Sequence, residues 1–241
     1  MDEIVVRAVQ RAIDTMRTNL GDSLTIDDLA RSAMFSKFHF TRVFQRVTGV
    51  SPGRFLSAMR LEEAKRLLLS TTLTVADISH RVGYNSVGTF SSRFRNSVGV
   101  SPTTYRQLGG SPPQLPADRP PMTGTMGTVR GTIIAPPGSH PTLIFVGLFP
   151  GRIMEAPAVK STVLRAPGPY TLHDVPPGTW YLLAHAPTSP VPHVGIHGTI
   201  TIHSQVAAHI ADIYLRPVSS LDPPVLMALN DAKLALTKIA S

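Results

Sequence analysis

Apolar residues recur every three or four positions through the first 110 residues, and this spacing predicts amphipathic helices. The first of these is predicted from Ile4 to Asn19, with an inward face that comprises Ile4, Ala8, Ile13 and Met16. From Thr125 the pattern changes to short apolar runs between Pro and Gly turns, which is typical of strands. The chain is therefore predicted to be helical first and β-rich afterwards.

An internal repeat organises the helical part. The run TIDDLA at 25–30 returns as TVADIS at 74–79, and GVSP at 49–52 returns at 99–102. The offset is 49 in the first case and 50 in the second, so the second copy carries one inserted residue. Two copies are too few for a solenoid, and the repeat therefore indicates a duplicated supersecondary unit.

Each copy is predicted to contain a helix, a tight turn and a second helix. Thr25 and Thr74 are N-cap candidates, each followed three residues later by an aspartate that can return the hydrogen bond. Gly83 supplies left-handed turn geometry in the second copy. Between the copies, Ser51-Pro52 starts a linking helix of ~18 residues, about 27 Å long. That length is near the ~34 Å of one DNA turn, which would let the two units enter successive major grooves.

The second helix of each copy has an apolar face and an opposite face without any acid. The opposite faces carry Lys37, His39, Thr41, Arg42 and Arg46 in the first copy and Ser86, Thr89, Ser91, Ser92, Arg93 and Arg95 in the second. A solvated basic face is the alternative, but solvated faces usually mix both signs of charge. Two acid-free faces on two helix-turn-helix units favour contacts with phosphates and a major groove.

Proline and charge are distributed unevenly along the chain. Of the 22 prolines, 20 lie after residue 110, where they suit turns and strand edges and prevent long helices. The first 110 residues hold 15 Lys and Arg against 9 Asp and Glu, and the rest hold 8 against 6. The formal net charge of +8 therefore resides mainly in the helical part. The stretch 109–124, rich in Pro and Gly, is predicted to be a linker.

Seven apolar runs, with Pro-Pro-Gly turns at 136–138 and 176–178, predict an all-β, immunoglobulin-like sandwich over 125–217. The runs are Thr128–Ala135, Leu143–Phe149, Val159–Leu164, Tyr170–His173, Trp180–Ala186, Gly195–His203 and His209–Leu215. Apolar residues then recur from Val225 to Ile239 at spacings of 4, 3, 4 and 3, which predicts a C-terminal amphipathic helix over 222–240. This helix either pairs with a second chain through Val225–Ile239 or docks on its own sandwich, and both alternatives stay open.

Several classes of protein are excluded by composition. The chain has no cysteine, which excludes disulfides, cysteine-based metal sites and a cysteine nucleophile. No apolar run reaches the ~20 residues of a membrane helix and the N-terminus lacks a signal pattern, so we expect a cytoplasmic protein without a membrane partner. His193 and His197 are four residues apart, but the alternating pattern around them indicates a strand. We therefore predict no metal, no cofactor and no catalytic residue.

Residues 20–107 closely resemble the DNA-binding domain of AraC/XylS-type transcription regulators. The resemblance is carried by LTIDDLARSAMFSKFHFTRVFQRVTGVSPGRFL, by RLEEAKRLLLSTTLTVADIS and by RVGYNSVGTFSSRFRNSVGVSPTTYR. It implies a bipartite domain with one recognition helix in each copy and double-stranded DNA as the partner. It also implies base contacts from Phe38, Thr41 and Arg42 and from Val87, Gly88, Ser91 and Ser92, with Ser36, Lys37, His39, Ser86 and Thr89 near phosphates.

Two departures from the family pattern affect these expectations. Met34 stands in the first turn where the family commonly has glycine, so this turn either is strained or avoids a positive φ. Val87 and Gly88 stand where longer polar side chains would hydrogen-bond bases, and valine makes only apolar contacts there. We therefore expect Arg42 of the first copy to carry most of the base readout. The second copy would bind mainly the DNA backbone, through Arg93 and Arg95.

A weaker resemblance covers about 128–186. The stretch GPYTLHDVPPGTWYLLAH resembles the transthyretin-like and carboxypeptidase-regulatory-like sandwich domains. This resemblance implies a sandwich and names no activity.

Together these observations predict a multidomain α + β protein that regulates transcription by binding specific DNA. Its parts are a double helix-turn-helix domain at 1–108, a linker at 109–124, a sandwich at 125–217 and a helix at 222–240. The sandwich would sense a small-molecule effector or dimerise, and an activator would have RNA polymerase as a partner. The alternative is a ligand- or protein-binding module whose DNA-binding domain only localises it. A fused DNA-repair alkyltransferase is excluded, because that enzyme needs an acceptor cysteine.

Overall fold

The computed structural model describes residues 3–110, 126–187, 191–203 and 208–228. The chain divides into a helical unit, made of Met1–Gly110 and Ser219–Met227, and a β unit, made of Ser111–Val218 and Ala228–Ser241. The predicted order of a helical part followed by a β-rich part is confirmed. The helical unit contains α1 (Glu3–Thr18), α2 (Ile26–Ser32), α3 (Lys37–Thr48), α4 (Pro52–Ser70), α5 (Val75–Arg81), α6 (Val87–Val98) and α7 (Pro102–Gln107).

The predicted N-cap residues form a capping box at the start of the first helix in each copy. Thr25 Oγ1 accepts a hydrogen bond from Asp28 N at 3.2 Å, and Asp28 Oδ2 accepts one from Thr25 N at 3.0 Å. Thr74 and Asp77 repeat the pair at 3.1 and 3.2 Å. The threonine hydroxyl also donates to the carboxylate, and this bond is the main reason that the pKa of each aspartate lies below its ordinary value.

A chain of three aromatic rings packs the second helix of each copy onto its neighbours. In the first copy Phe40, Phe44 and Phe55 are buried, and successive ring centroids lie 5.5 Å apart. At an offset of 50 the second copy repeats the chain at 5.7 and 5.6 Å with Phe90, Phe94 and Tyr105. Tilted and edge-on ring pairs of this kind contribute about 0.5–1.5 kcal/mol beyond their burial. Because the rings cover one face of α3 and of α6, the opposite face of each helix is left outward.

The packing helix and the linking helix begin close to their predicted residues. Of the predicted inward face of α1, Ala8, Ile13 and Met16 are buried, whereas Ile4 is 73% exposed. The expectation for Ile4 is wrong because it lies in the first turn, ahead of the buried stretch that starts at Ala8. The linking helix α4 has 19 residues, starts at Pro52, and is therefore about 28 Å long.

The two turns adopt the same backbone conformation with different residues. Met34 has a φ of +62° and is 82% exposed, whereas its counterpart at an offset of 49, Gly83, has a φ of +83°. The first turn therefore does not avoid the left-handed region, and the Cβ of Met34 adds a steric cost there. At Gly83 an added Cβ would lie 2.6 Å from the Leu20 carbonyl oxygen, so this position excludes a side chain through space as well as through φ.

The strands of the β unit form two sheets. The strands are β1 (Gly127–Ile134), β2 (Ile144–Phe149), β3 (Lys160–Leu164), β4 (Pro169–Val175), β5 (Gly178–Ala186), β6 (His193–Ile202), β7 (Ala208–Ile210), β8 (Ile213–Tyr214) and β9 (Arg216–Pro217). One sheet has the order β4-β1-β7, with β8 also paired to β1, and the other has the order β3-β2-β5-β6-β9. Six of the seven predicted strands are confirmed.

The seventh predicted strand is wrong as one continuous strand. It is divided into β7 and β8, and both pair in parallel with β1. At the interruption, Asp212 Oδ1 accepts a hydrogen bond from Thr132 N at 2.8 Å, so a carboxylate replaces a backbone carbonyl. A Cβ at Gly131 would lie only 2.1 Å from Ala211 O, which shows how closely the two segments approach. The hydrophobic pattern of the sequence does not reveal that a carboxylate takes the place of a backbone acceptor here, because the residues on either side of Asp212 are hydrophobic.

Both sheets contribute to one hydrophobic core. Val129 and Leu172 enter it from the sheet that contains β1, and Val146, Leu182 and Ile200 enter it from the other sheet. All five side chains are buried. The described part of the second half is therefore a β-rich region with its own core, in which most pairs are antiparallel and those of β1 with β7 and β8 are parallel.

The predicted C-terminal helix does not begin at Asp222, because residues 222–228 are not helical. Asp222 Oδ2 instead accepts hydrogen bonds from Ser219 N at 2.8 Å and from Ser219 Oγ at 3.1 Å. These bonds close a turn ahead of Pro223-Pro224, where no backbone N–H is available. The part of the predicted helix from 229 onward, with most of the Val225–Ile239 stripe, lies outside the described residues. The linker residues 111–124 also lie outside them.

We expect Met34→Gly to raise the free energy of unfolding by about 1 kcal/mol, because glycine adopts a left-handed φ without the clash of a Cβ. Met34→Ala keeps the Cβ and serves as the matched control, with a much smaller effect. Gly83→Ala makes the opposite change in the second copy and should destabilise the helical unit, because its Cβ meets a backbone oxygen. Denaturant titration followed by helical circular dichroism measures all three variants. If Met34→Gly were no more stable than Met34→Ala, the first turn would not be strained.

Candidate nucleic-acid interface

The predicted residues of the first copy lie along α3 and at its N-terminus. Phe38 is 87% exposed and Thr41 is half-buried. Thr41 Oγ1 donates a hydrogen bond to Lys37 O at 2.9 Å, which leaves its oxygen able to accept one from outside. The remaining residues of the set are all exposed, namely Ser36, Lys37, His39, Arg42 and Arg46.

Two contacts orient side chains at the start of this helix. Lys37 Nζ forms an ion pair with Asp27 Oδ2 at 2.8 Å, so an acid from α2 reaches a face whose own helix carries none. The sequence of α3 alone does not predict this ion pair, because Asp27 belongs to the preceding helix, α2. Exposed ion pairs contribute at most about 1 kcal/mol, which leaves Lys37 able to exchange Asp27 for another anion. The His39 ring packs edge-on against Phe35, with centroids 4.7 Å apart.

Most of the predicted residues of the second copy have smaller side chains than those of the first copy, and one of them, Ser86, caps the N-terminus of α6. Ser86 Oγ accepts a hydrogen bond from Thr89 N at 3.3 Å, whereas Ser36 makes no such bond at the start of α3. A Cβ added to Gly88 would meet only Ser86 Oγ within 4 Å, at an ordinary 3.7 Å, so packing does not require glycine there. Val87 and Ser91 are half-buried, and the exposed residues are Ser86, Gly88, Thr89, Ser92, Arg93 and Arg95.

Helical periodicity sorts the exposed residues by direction, because positions three, four and seven apart share a face. Gln45 is exposed and lies seven residues beyond Phe38, so it shares the face of Phe38, Thr41 and Arg42. It is missing from the predicted set, and its spacing is the signal that identifies it. Its counterpart at an offset of 50 is Arg95, which extends the face of Gly88, Ser91 and Ser92. Arg93 lies on the flank, four residues beyond Thr89.

Four guanidinium groups on the two helices are available to an external partner. They are exposed and have no hydrogen bond or ion pair with any residue that the structure describes; they belong to Arg42, Arg46, Arg93 and Arg95. Other arginines of this unit have structural partners. Arg60 and Arg106, for example, each donate to two backbone carbonyls and hold neighbouring loops in place.

The histidine pair of the β-rich part lies in a strand, as predicted, since both residues belong to β6. His193 is buried with its Nε2 3.2 Å from Ser139 Oγ, and His197 Nδ1 lies 2.9 Å from Asp212 O. Within the described ranges, no three His, Asp or Glu side chains gather in a way that would hold a metal ion. None of the helices that the structure describes is long and apolar enough to cross a bilayer.

Comparison with known proteins finds similarity in the helical part. A family model described as a helix-turn-helix domain matches residues 29–108. The lactose operon transcription activator of Staphylococcus xylosus is 33% identical over 104 residues, 43% of this chain and 37% of that protein. The HTH-type transcriptional activator AarP of Providencia stuartii is 35% identical over 88 residues, 36% of this chain and 65% of that protein. A solved AraC-type regulator from Chromobacterium violaceum is 27% identical with a TM-score of 0.42, over 45% of this chain and 96% of that one.

The matched region contains most of the first copy and all of the second, from within α2 to the residue after α7. This chain spans less than two thirds of the length of the two curated relatives. Both are named as transcription activators. The predicted resemblance is confirmed for this region, and residues 29–108 form a helix-turn-helix domain of the AraC type.

Proposed function

We propose that the protein is a sequence-specific, DNA-binding transcription regulator of the AraC/XylS type that acts in the cytoplasm. Its two recognition helices, α3 and α6, would enter successive major grooves of one double-stranded DNA site. The observation that carries this proposal is the pair of exposed, acid-free helix faces with four arginines that have no partner among the described residues. The names of two relatives favour an activator, which would have RNA polymerase as a second partner.

Base readout is assigned mainly to the first copy. The Arg42 guanidinium can bind the O6 and N7 atoms of guanine in a bidentate manner, and the Gln45 amide can do the same with adenine. Phe38 is apolar and almost fully exposed, which suits contact with a thymine methyl group. Thr41 would accept one further hydrogen bond beside them, because its hydroxyl proton is donated to Lys37 O.

Phosphate contacts of the first copy are assigned to the residues around the N-terminus of α3 and along its flank. Backbone N–H groups at a helix N-terminus attract anions, and Ser36 leaves them without a side-chain cap. Lys37 would exchange Asp27 for a phosphate on one flank, and His39 and Arg46, which are seven residues apart, lie on the opposite flank. These contacts fix the position of the helix without reading sequence.

The second copy is assigned mainly to backbone binding. Val87, Gly88, Ser91 and Ser92 offer few hydrogen bonds to base edges, whereas Arg93 and Arg95 carry full charges. Ser86 and Thr89 would lie near phosphates at the start of the helix. The absence of a long side chain at Gly88 lets the helix backbone approach the groove closely.

We assign the regulatory role to the β unit. It would be an immunoglobulin-like sandwich that binds a small-molecule effector or dimerises. Its separate hydrophobic core supports an independent fold, since it draws on both sheets. A homodimer through the Val225–Ile239 stripe stays a prediction for the residues beyond 228.

Selection of DNA fragments tests sequence specificity directly. The purified chain is mixed with fragmented genomic DNA, the retained fragments are sequenced, and their affinity is compared with that of random DNA at several salt concentrations. A regulator retains few fragments with a shared motif. If all fragments bound alike, the DNA-binding domain would only localise another module.

We expect Arg42→Ala to weaken binding to the selected site by roughly 1–3 kcal/mol and to relax preference at one base pair, because a bidentate base contact is lost. Arg7→Ala is the matched control, since it removes one positive charge from α1, where Arg7 pairs with Glu3. Competition gel-shift assays with single-base variants of the site measure both effects. An unchanged ratio of specific to random binding in Arg42→Ala would show that this residue does not read bases.

For the second copy, Arg93→Ala should weaken binding to all sequences alike. Arg95→Ala should do the same although Arg95 shares the face of Gly88, Ser91 and Ser92, because we assign its guanidinium group to a phosphate. Each lost phosphate contact should reduce the slope of log affinity against log salt by ~1, because fewer counterions are released. Fluorescence anisotropy over a range of salt concentrations measures the slope. An altered base preference in either variant would contradict backbone binding by this copy.

Gly88→Ala should separate stability from DNA binding. The variant should be about 0.5–1 kcal/mol more stable, because alanine is the better helix former and the site has space for its Cβ. It should also bind DNA more weakly, because the methyl group holds the backbone away from the groove. Gly53→Ala in α4 is the matched control, where space is also open and DNA affinity should not change. Equal affinity of Gly88→Ala and wild type would refute a close approach at this position.

A further inference from the structure

The segment Ser219–Met227 follows the β unit in sequence but belongs to the helical unit. Two side chains of that unit hold it. Gln10 Nε2 in α1 donates a hydrogen bond to Ser220 Oγ at 3.0 Å, and Lys65 Nζ in α4 donates one to Val225 O at 3.1 Å. The contacts fall at both ends of the segment, so it is fixed along most of its length.

The apolar end of the segment is buried. Leu226 is fully buried, and Met227 is 5% exposed. Burying a leucine side chain stabilises a fold far more than an exposed hydrogen bond does. Leu226 is therefore the main anchor.

The environment of Lys65 in α4 also depends on its contact with this segment. Its ammonium group is half-buried, and this burial lowers the pKa of Lys65 to about 8, with Glu62 acting in the opposite direction. The bond to Val225 O satisfies one of its three donors. A lysine is seldom held in such a place without a partner, so the backbone of the segment is part of its environment.

The segment is stiff between its two ends. The Asp222 carboxylate accepts from Ser219 N and Ser219 Oγ, and Leu221 N donates to Ser219 Oγ at 3.3 Å. Pro223-Pro224 follow directly and fix two φ angles. A displacement of Ser219 is therefore transmitted along the segment to Leu226.

Along the chain, this segment follows directly on the last hydrogen-bonded residue of the β unit. Arg216–Pro217 forms β9, which pairs with β6, and Val218 N donates to Pro192 O at 2.9 Å. The chain is thus hydrogen-bonded within the β unit up to Val218 and belongs to the helical unit from Ser219. A change in the pairing of β9 must alter the position of Ser219.

We infer that Ser219–Met227 is a strap that completes the helical unit and couples the stability of α1 and α4 to the folding of the β unit. An event that loosens β9, such as local unfolding of its sheet, would loosen the strap and expose the surface beneath Leu226. This inference does not depend on DNA binding, and it is tested without DNA.

Hydrogen exchange of the full chain, read by mass spectrometry, tests the anchor first. Leu226→Ala should speed exchange in peptides of α1 and α4 by about tenfold, because truncation of a buried leucine favours local opening. Peptides of β2 and β5 should not change. Ile210→Ala is the matched control, because Ile210 is 73% exposed and lies in the β unit. Unchanged exchange in α1 and α4 would show that the strap does not stabilise them.

The coupling is tested by a change placed far along the chain. Leu182 is fully buried in β5, and Leu182→Ala should destabilise the β unit and speed exchange in α1 and α4 as well. A flexible Gly-Ser insertion between Val218 and Ser219 should abolish the second effect and leave the first. If Leu182→Ala did not affect α1 and α4, or affected them equally with the insertion, the strap would not couple the two units.

Discussion

The exposed faces of this protein depend on which face of α3 and of α6 is buried, and the two aromatic chains decide this. Phe40, Phe44 and Phe55 bury one side of α3, and residues at an offset of 50 do the same for α6. A rotation of either helix would place phenylalanine rings in water and arginines in the core. The hydrophobic cost of that exchange fixes the direction of Arg42 and Arg95 more firmly than any bond these arginines make.

Much of the helical unit could be predicted from the sequence because its determinants are local. The Thr25 capping box, the Pro52 start of α4 and the left-handed φ of Gly83 each depend on residues within a few positions, whereas the contact of Gly83 with Leu20 O does not. The place of Gln45 on the exposed face of α3 follows from helical spacing alone. The ion pair of Lys37 with Asp27 joins two helices, and a reading of one helix face at a time does not contain it.

Two predictions for the second half of the chain, one of a strand and one of the start of a helix, are wrong for a common physical reason. The strand expected over His209–Leu215 is interrupted because the Asp212 side chain takes the place of a backbone acceptor. The helix expected from Asp222 does not begin there, because that aspartate closes a turn by bonding backward to Ser219. In both cases a short acidic side chain competes with regular backbone bonding, and hydrophobic periodicity is insensitive to this competition.

The return of the chain to the helical unit has a consequence for biosynthesis. The seven helices that the structure describes leave the ribosome before its first described strand, whereas Ser219–Met227 emerges only after residues 111–218 have been made. At ~5–20 residues per second the delay is about 5–20 s, much longer than the time in which helices form. During that interval the nascent helical unit has its recognition faces but lacks its last packing segment. Newly made chains therefore pass through a state in which the site for Leu226 is open, and the site closes only after the β unit that precedes this segment has been made.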